Sequence, residues 1–107
     1  MPSYLYRVGY TPQAWASQVK NPQSRLEAVR PVIEGLGGKV VCAYYAFGED
    51  DVILIADMPD NGSAASFSIA AAAGGAVSHI RTTPLMSTDE ALEAVRKAGA
   101  SGYKPPA

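Results

Sequence analysis

Residues 39–59, KVVCAYYAFGEDDVILIADMP, constrain this chain more than any other stretch. Val, Ile, Tyr and Phe crowd it, and these residues suit a pleated surface better than a helix. The pattern predicts two strands, 39–47 and 51–58, joined by a tight turn at Gly48-Glu49-Asp50, with Gly48 free to adopt positive φ. A hairpin with one wet face alternates apolar and polar residues. Here 40–47 and 52–56 are apolar without interruption, so both faces of the hairpin require cover. A large apolar side chain left in water forfeits about 1.5–3 kcal/mol. Several on one bare face rival the ~5–15 kcal/mol that separates folded from unfolded chains.

The flanking sequence supplies helices and two further strands. Residues 3–10 read as a strand with Tyr4, Tyr6 and Tyr10 at alternate positions around Val8. Thr11-Pro12 starts a short helix, Thr as N-cap and Pro at the first helical position, with Trp15 and Val19 on one face. Asn21-Pro22 opens a second helix on which Leu26, Val29, Ile33 and Leu36 share a face, with a bend expected at Pro31 and a stop at Gly37-Gly38. After the hairpin, Asp60 or Asn61 caps an Ala-rich helix to about Ala73, whose small side chains suit close approach to a sheet. Gly74-Gly75 end it, and both glycine pairs lack the lysine and hydroxyl of a phosphate loop. Residues 76–86 read as a fourth strand, with Pro84 restricting it to an edge. Ser87-Thr88-Asp89-Glu90 is a capping box that opens a last helix to Ala98.

The order β-α-β-β-α-β-α is the split βαβ, or ferredoxin-like, arrangement. The expected fold is α+β: a four-stranded antiparallel sheet in the order 4-1-3-2, with an extra C-terminal helix. Residues 1–98 form the single domain, and 99–107 a Gly/Pro-rich tail. Two helices cover one sheet face only, so the other face is expected to meet a second copy in a dimeric α/β barrel.

Composition removes several function classes. Nine Lys+Arg against ten Asp+Glu leave the chain near neutral, without a basic footprint for nucleic acid. The third strand also lacks the aromatic and basic residues with which RNA-recognition sheets stack bases. No apolar run approaches the ~20 residues that span a bilayer. The N-terminus lacks a basic region followed by an apolar stretch and a cleavage site, so no membrane partner and a cytoplasmic location are expected. The single cysteine, Cys42, excludes an internal disulfide and a multi-cysteine metal site, and no cofactor or metal is expected.

Six segments carry a family resemblance: Arg25–Pro31 (RLEAVRP), Leu36–Val40 (LGGKV), Phe47–Val52 (FGEDDV), Met58–Asn61 (MPDN), Ile80–Leu85 (IRTTPL) and Gly102–Pro106 (GYKPP). In these the chain resembles the GYD domain family, small bacterial proteins with a ferredoxin-like α/β barrel fold and a largely unassigned role. The family's signature is Gly, a variable residue, then Tyr-Asp. Gly48 and Asp51 match it, whereas Asp50 stands in the tyrosine's place. The resemblance implies a fold rather than a function.

Candidate site residues are few. His79 and Asp57 are the catalytic candidates. A barrel histidine can act as a base or an axial haem ligand. With no second His or Cys pair, the preferred reading is a strand histidine bonded to a neighbour. Asp57 interrupts an apolar strand, either as a barrel anchor or as a strand-end residue bonded to backbone or to Arg81. Its distance from Asp51, ~20 Å along an extended strand, rules out a carboxylate pair. Cys42 is read as a small apolar filler, with Lys39 on the opposite face. Tyr6, Tyr45 and Arg81 are the ligand-binding candidates, since tyrosines offer apolar area with an orienting hydroxyl. The strand tyrosines equally suit a subunit interface, which is the preferred reading.

Three functions follow. The leading one is a homodimeric or larger binding protein for a small apolar molecule. The alternatives are a cofactor-independent enzyme of monooxygenase or isomerase type, by fold analogy alone, and a protein-interaction scaffold. Convergence of Tyr6, His79, Arg81 and Asp57 on one cavity favours catalysis, their scatter favours binding, and a fully packed interior favours the scaffold.

Overall fold

A computed structural model describes residues 1–106. The elements run β1 (Ser3–Tyr10), α1 (Pro12–Lys20), α2 (Arg25–Gly35), β2 (Lys39–Tyr45), β3 (Val52–Asp57), α3 (Asn61–Ala73), β4 (Val77–Pro84) and α4 (Thr88–Gly99). The strands form one antiparallel sheet in the order β2-β3-β1-β4. This is the expected ferredoxin-like order, and Pro84 closes an edge strand, where its missing N–H costs no ladder bond.

Capping explains most helix boundaries. Thr11 accepts a hydrogen bond from the Ala14 N–H at 3.1 Å, and Pro12 fills the first turn of α1. The second helix starts later than Asn21-Pro22 suggests. Asn21 ends α1, and Ser24 caps α2 by accepting from the Glu27 N–H. The helix then runs through Pro31. Asp60 caps α3, and its bond from the Ser63 N–H holds the carboxyl below the usual range. Ser87 and Glu90 complete the capping box of α4.

The hairpin departs from its expected form in two ways. The connection spans residues 46–51 and is no tight turn, and Gly48 does not take positive φ. The residues with positive φ are Gly37, Gly75 and Gly102, of which the first two follow α2 and α3. In addition, β2 carries a bulge at Val41: Val40 faces Ala56, and Cys42 faces Ile55.

One face of the sheet carries the core. Tyr4, Tyr6 and Val8 of β1 and Leu54 and Ala56 of β3 point to that side with Met58, and meet Ile33 of α2 and Ala64 and Phe67 of α3. Helix α2 packs on β2, and α3 on β4. The opposite face carries Leu5, Arg7, Ile53, Ile55, Cys42, Tyr44, His79 and Arg81, as the register requires. Its hairpin half is apolar from Cys42 and Ile55 to Tyr44 and Ile53 but begins on the Lys39–Asp57 pair, and its β1–β4 half is charged. Helix α4 does not roof it: none of its residues is buried, and Leu92 and Val95 stand exposed. The radius of gyration is accordingly 17.2 Å, against ~13 Å for a closely folded chain of this length.

Candidate functional site

The helix-side layer is filled at one end and hollow at the other. Beyond Phe67, where β1 and β2 end and β3 and β4 begin, α2, α3 and the sheet line a partly open cavity of about 390 Å³. Its floor is Val8, Val52 and Leu54; its walls are Leu26 and Val29 on one side and Ala70 and Ala71 on the other. The space exists because of α3. Its inward face runs Ala64, Phe67, Ala71, Gly74, and only Phe67 is large, so the last two turns leave the sheet uncovered. The Ala-rich helix thus makes room where close packing was expected.

Polar groups gather at the mouth. The Tyr45 hydroxyl accepts from the Arg25 N–H at 3.1 Å and ties the end of β2 to the start of α2. The Tyr10 ring lies between Trp15, edge-on with centroids 5.7 Å apart, and the Arg25 guanidinium, 5.8 Å from its centre. Burial pushes the Tyr10 phenol above its ordinary pKa, so it keeps its proton at neutral pH. Asp51 holds this corner in place by accepting from the Tyr10 N–H at 2.8 Å and from the Trp15 indole N–H at 3.4 Å.

The candidates read from sequence do not converge. Tyr45 lines the cavity. Tyr6 lies fully buried in the filled end, donating to the Ala64 carbonyl at 3.0 Å with its ring edge-on to Phe67. Burial raises its pKa to about 12. Arg81 is on the opposite sheet face, directly across from Arg7, and forms no ion pair among the described residues. Asp57 is also on that face and accepts from the Ser3 hydroxyl at 2.6 Å, not from Arg81. His79 reaches across Gly9 to Asp50, its Nε2 lying 2.9 Å from the carboxylate. A Cβ at Gly9 would strike the imidazole ring, so the glycine is what admits it. Asp50, in the connection between β2 and β3, therefore serves as the histidine's partner. Ser78 Oγ, at 3.4 Å from Nδ1, is at the far limit of a hydrogen bond.

Two further readings change. The bulge at Val41 places Lys39 and Cys42 on the same face, not on opposite ones, and Cys42 is half-buried there. Tyr4 and Tyr6 belong to the chain's own core rather than to a subunit interface, and only Tyr44 among the strand tyrosines lies on the open face. Tyr10 was legible only as one of several strand tyrosines, and Arg25 carried no site signal in the sequence. No three or more His, Cys, Asp or Glu side chains cluster as metal ligands among the described residues. No helix among them is long and apolar enough to cross a membrane.

The topology and the single covered face define a ferredoxin-like α+β domain. The family model for the GYD domain matches residues 4–95, and the chain belongs to that family. No match was found among curated proteins or among solved structures.

Proposed function

We propose that this chain is a binding protein that holds a small, mostly apolar molecule between α2, α3 and the sheet. The cavity carries the reading. Its volume falls within the ~300–1,000 Å³ usual for small-molecule sites, and its lining is apolar with hydroxyls and one guanidinium at the mouth. A cofactor-independent enzyme has less support, because Tyr6 is on one side of the sheet and His79, Arg81 and Asp57 on the other. A scaffold has less support because the interior is not filled.

The working form is a homodimer joined through the open sheet face, in the manner of a dimeric α/β barrel. Leu5, Ile53 and Ile55 on that face and the exposed Leu92 and Val95 of α4 support it, since the chain's own elements bury none of them fully and a second copy would add burial. A bacterial cytoplasm is the setting assigned, on the family resemblance and the solitary Cys42.

Native mass spectrometry of protein purified from its own source tests both parts. Two chains carrying a small molecule are expected, with Ile53→Asp giving single chains and Ala71→Phe giving empty dimers. Single chains at micromolar concentration would remove the dimer, and an Ala71→Phe protein that still carries the molecule would remove the cavity.

A further inference from the structure

The cavity's charge pattern narrows what it can hold. Among the described residues Arg25 is the only charged one in the lining, and no Asp or Glu faces the space. Its guanidinium has no carboxylate partner among the described residues; its neighbour is the Tyr10 ring. A half-buried cation without a counter-charge is costly, and an incoming anion relieves that cost. The charge is also on one side only. Beyond Tyr10, Arg25 and Ala76 a second, polar cleft of about 190 Å³ begins, lined by Ser17, Gln18 and Asn21. The boundary between the apolar space and the wet cleft therefore runs through the Tyr10–Arg25 pair.

We infer that the cavity takes a small amphipathic monoanion, a carboxylate on an apolar body, with Arg25 pairing the carboxylate. The inference rests on the binding reading above. The apolar body lies over Val8 and Val52 between Leu26, Val29 and Ala71, and the head group turns toward the polar cleft. A guanidinium presents a planar fork that matches a carboxylate in two parallel hydrogen bonds. The Tyr10 phenol, which keeps its proton, stands beside it as a further donor. A cationic ligand would meet Arg25 head-on. A dianion would bring a second charge for which the lining has no second cation.

Isothermal titration at pH 7.5 with octanoate, octanamide and octylammonium separates the outcomes. Octanoate is expected to bind once per chain, octanamide about tenfold or more weakly, and octylammonium not at all. Arg25→Gln should bring octanoate down to the octanamide level, Arg25→Lys should keep part of the preference, and Ala71→Phe should abolish both. A thermal melt unchanged in Arg25→Gln confirms that the fold is intact. Equal affinity for octanoate and octanamide would overturn the carboxylate class and leave the binding cavity standing. A preference for octanoate that survives Arg25→Gln would overturn the role of Arg25. Binding of none of the three probes would overturn the carboxylate class, and probe binding unaffected by Ala71→Phe would overturn the cavity reading itself.

Discussion

The two ends of the helix-side layer share a sheet and a helix but reach opposite results. At one end Tyr4, Tyr6, Ala56 and Met58 rise from the strands to meet Ile33 and Ala64, each at most 3% exposed. At the other, Val8 and Val52 rise toward Ala70, Ala71 and Gly74, and a cavity remains. The backbone path is common to both, since β1, β3 and α3 run through each end. Side-chain volume alone separates them. Two tyrosines opposite an alanine fill one end, while two valines opposite alanines and a glycine leave the other hollow. The filled end anchors the fold, and the hollow end is left open by the small side chains of α3.

Substitutions that add or remove volume sharpen this contrast. The largest effect belongs to the filled end: Ile33→Ala, at a fully buried position, is expected to cost about 2–5 kcal/mol in urea unfolding. A loss under about 1 kcal/mol would mean that this end is not close-packed. Added volume should act with different signs at the two ends. Ala64→Leu, 2% exposed beneath the Tyr6 hydroxyl, should destabilise by about 1–3 kcal/mol. The same change two turns on, Ala71→Leu, enters the cavity and should shift stability by less than about 1 kcal/mol, as paired urea melts would report.

Glycine replacement probes the same difference on a smaller scale. A Cβ at Gly38 would collide with the Asp57 carbonyl and the Met58 sulfur, so Gly38→Ala should lower stability by about 1–3 kcal/mol. At Gly74, φ is −70° and the nearest atoms lie 3.5 Å from a Cβ, so Gly74→Ala should raise the melting free energy by about 0.4–1 kcal/mol. Equal effects at the two glycines would erase the distinction between the ends.

The smallest effect is one of pH. Tyr6 has a folded pKa of about 12 against 10.0 unfolded. Its contribution is therefore complete below pH 10, where both states hold the proton, and is lost as pH rises toward 12 and the unfolded state alone releases it. Alkaline unfolding curves should steepen over that window, and Tyr6→Phe should flatten them. A slope unchanged by Tyr6→Phe would place the alkaline sensitivity in another group.

Much of this fold was legible from short-range chemistry. Thr11-Pro12, Asp60 and the Ser87–Glu90 box are local signals, complete within four residues, and each cap stands where those residues put it. Element order and handed crossovers then restrict the sheet to very few topologies, and the observed order is the expected one. The bulge at Val41 was not legible. In a run where every residue from 40 to 47 is apolar, a slipped register leaves no mark on the pattern, yet it reverses the facing of everything before it relative to everything after. The link between His79 and Asp50 was hidden for a related reason, because 29 residues separate them and Gly9 opens the path from a third strand.

The sequence by itself determined the element types, the caps of three of the four helices, the strand order and the family, because these depend on neighbours along the chain and on a short list of allowed connections. Only the tertiary structure decided that Tyr6 fills the core while Tyr10 and Tyr45 border a cavity, and that Arg25 stands beside them without a counter-charge. Those outcomes are sums of side-chain volume and charge over residues as far apart in the chain as Val8 and Ile80, and no local pattern records such a sum.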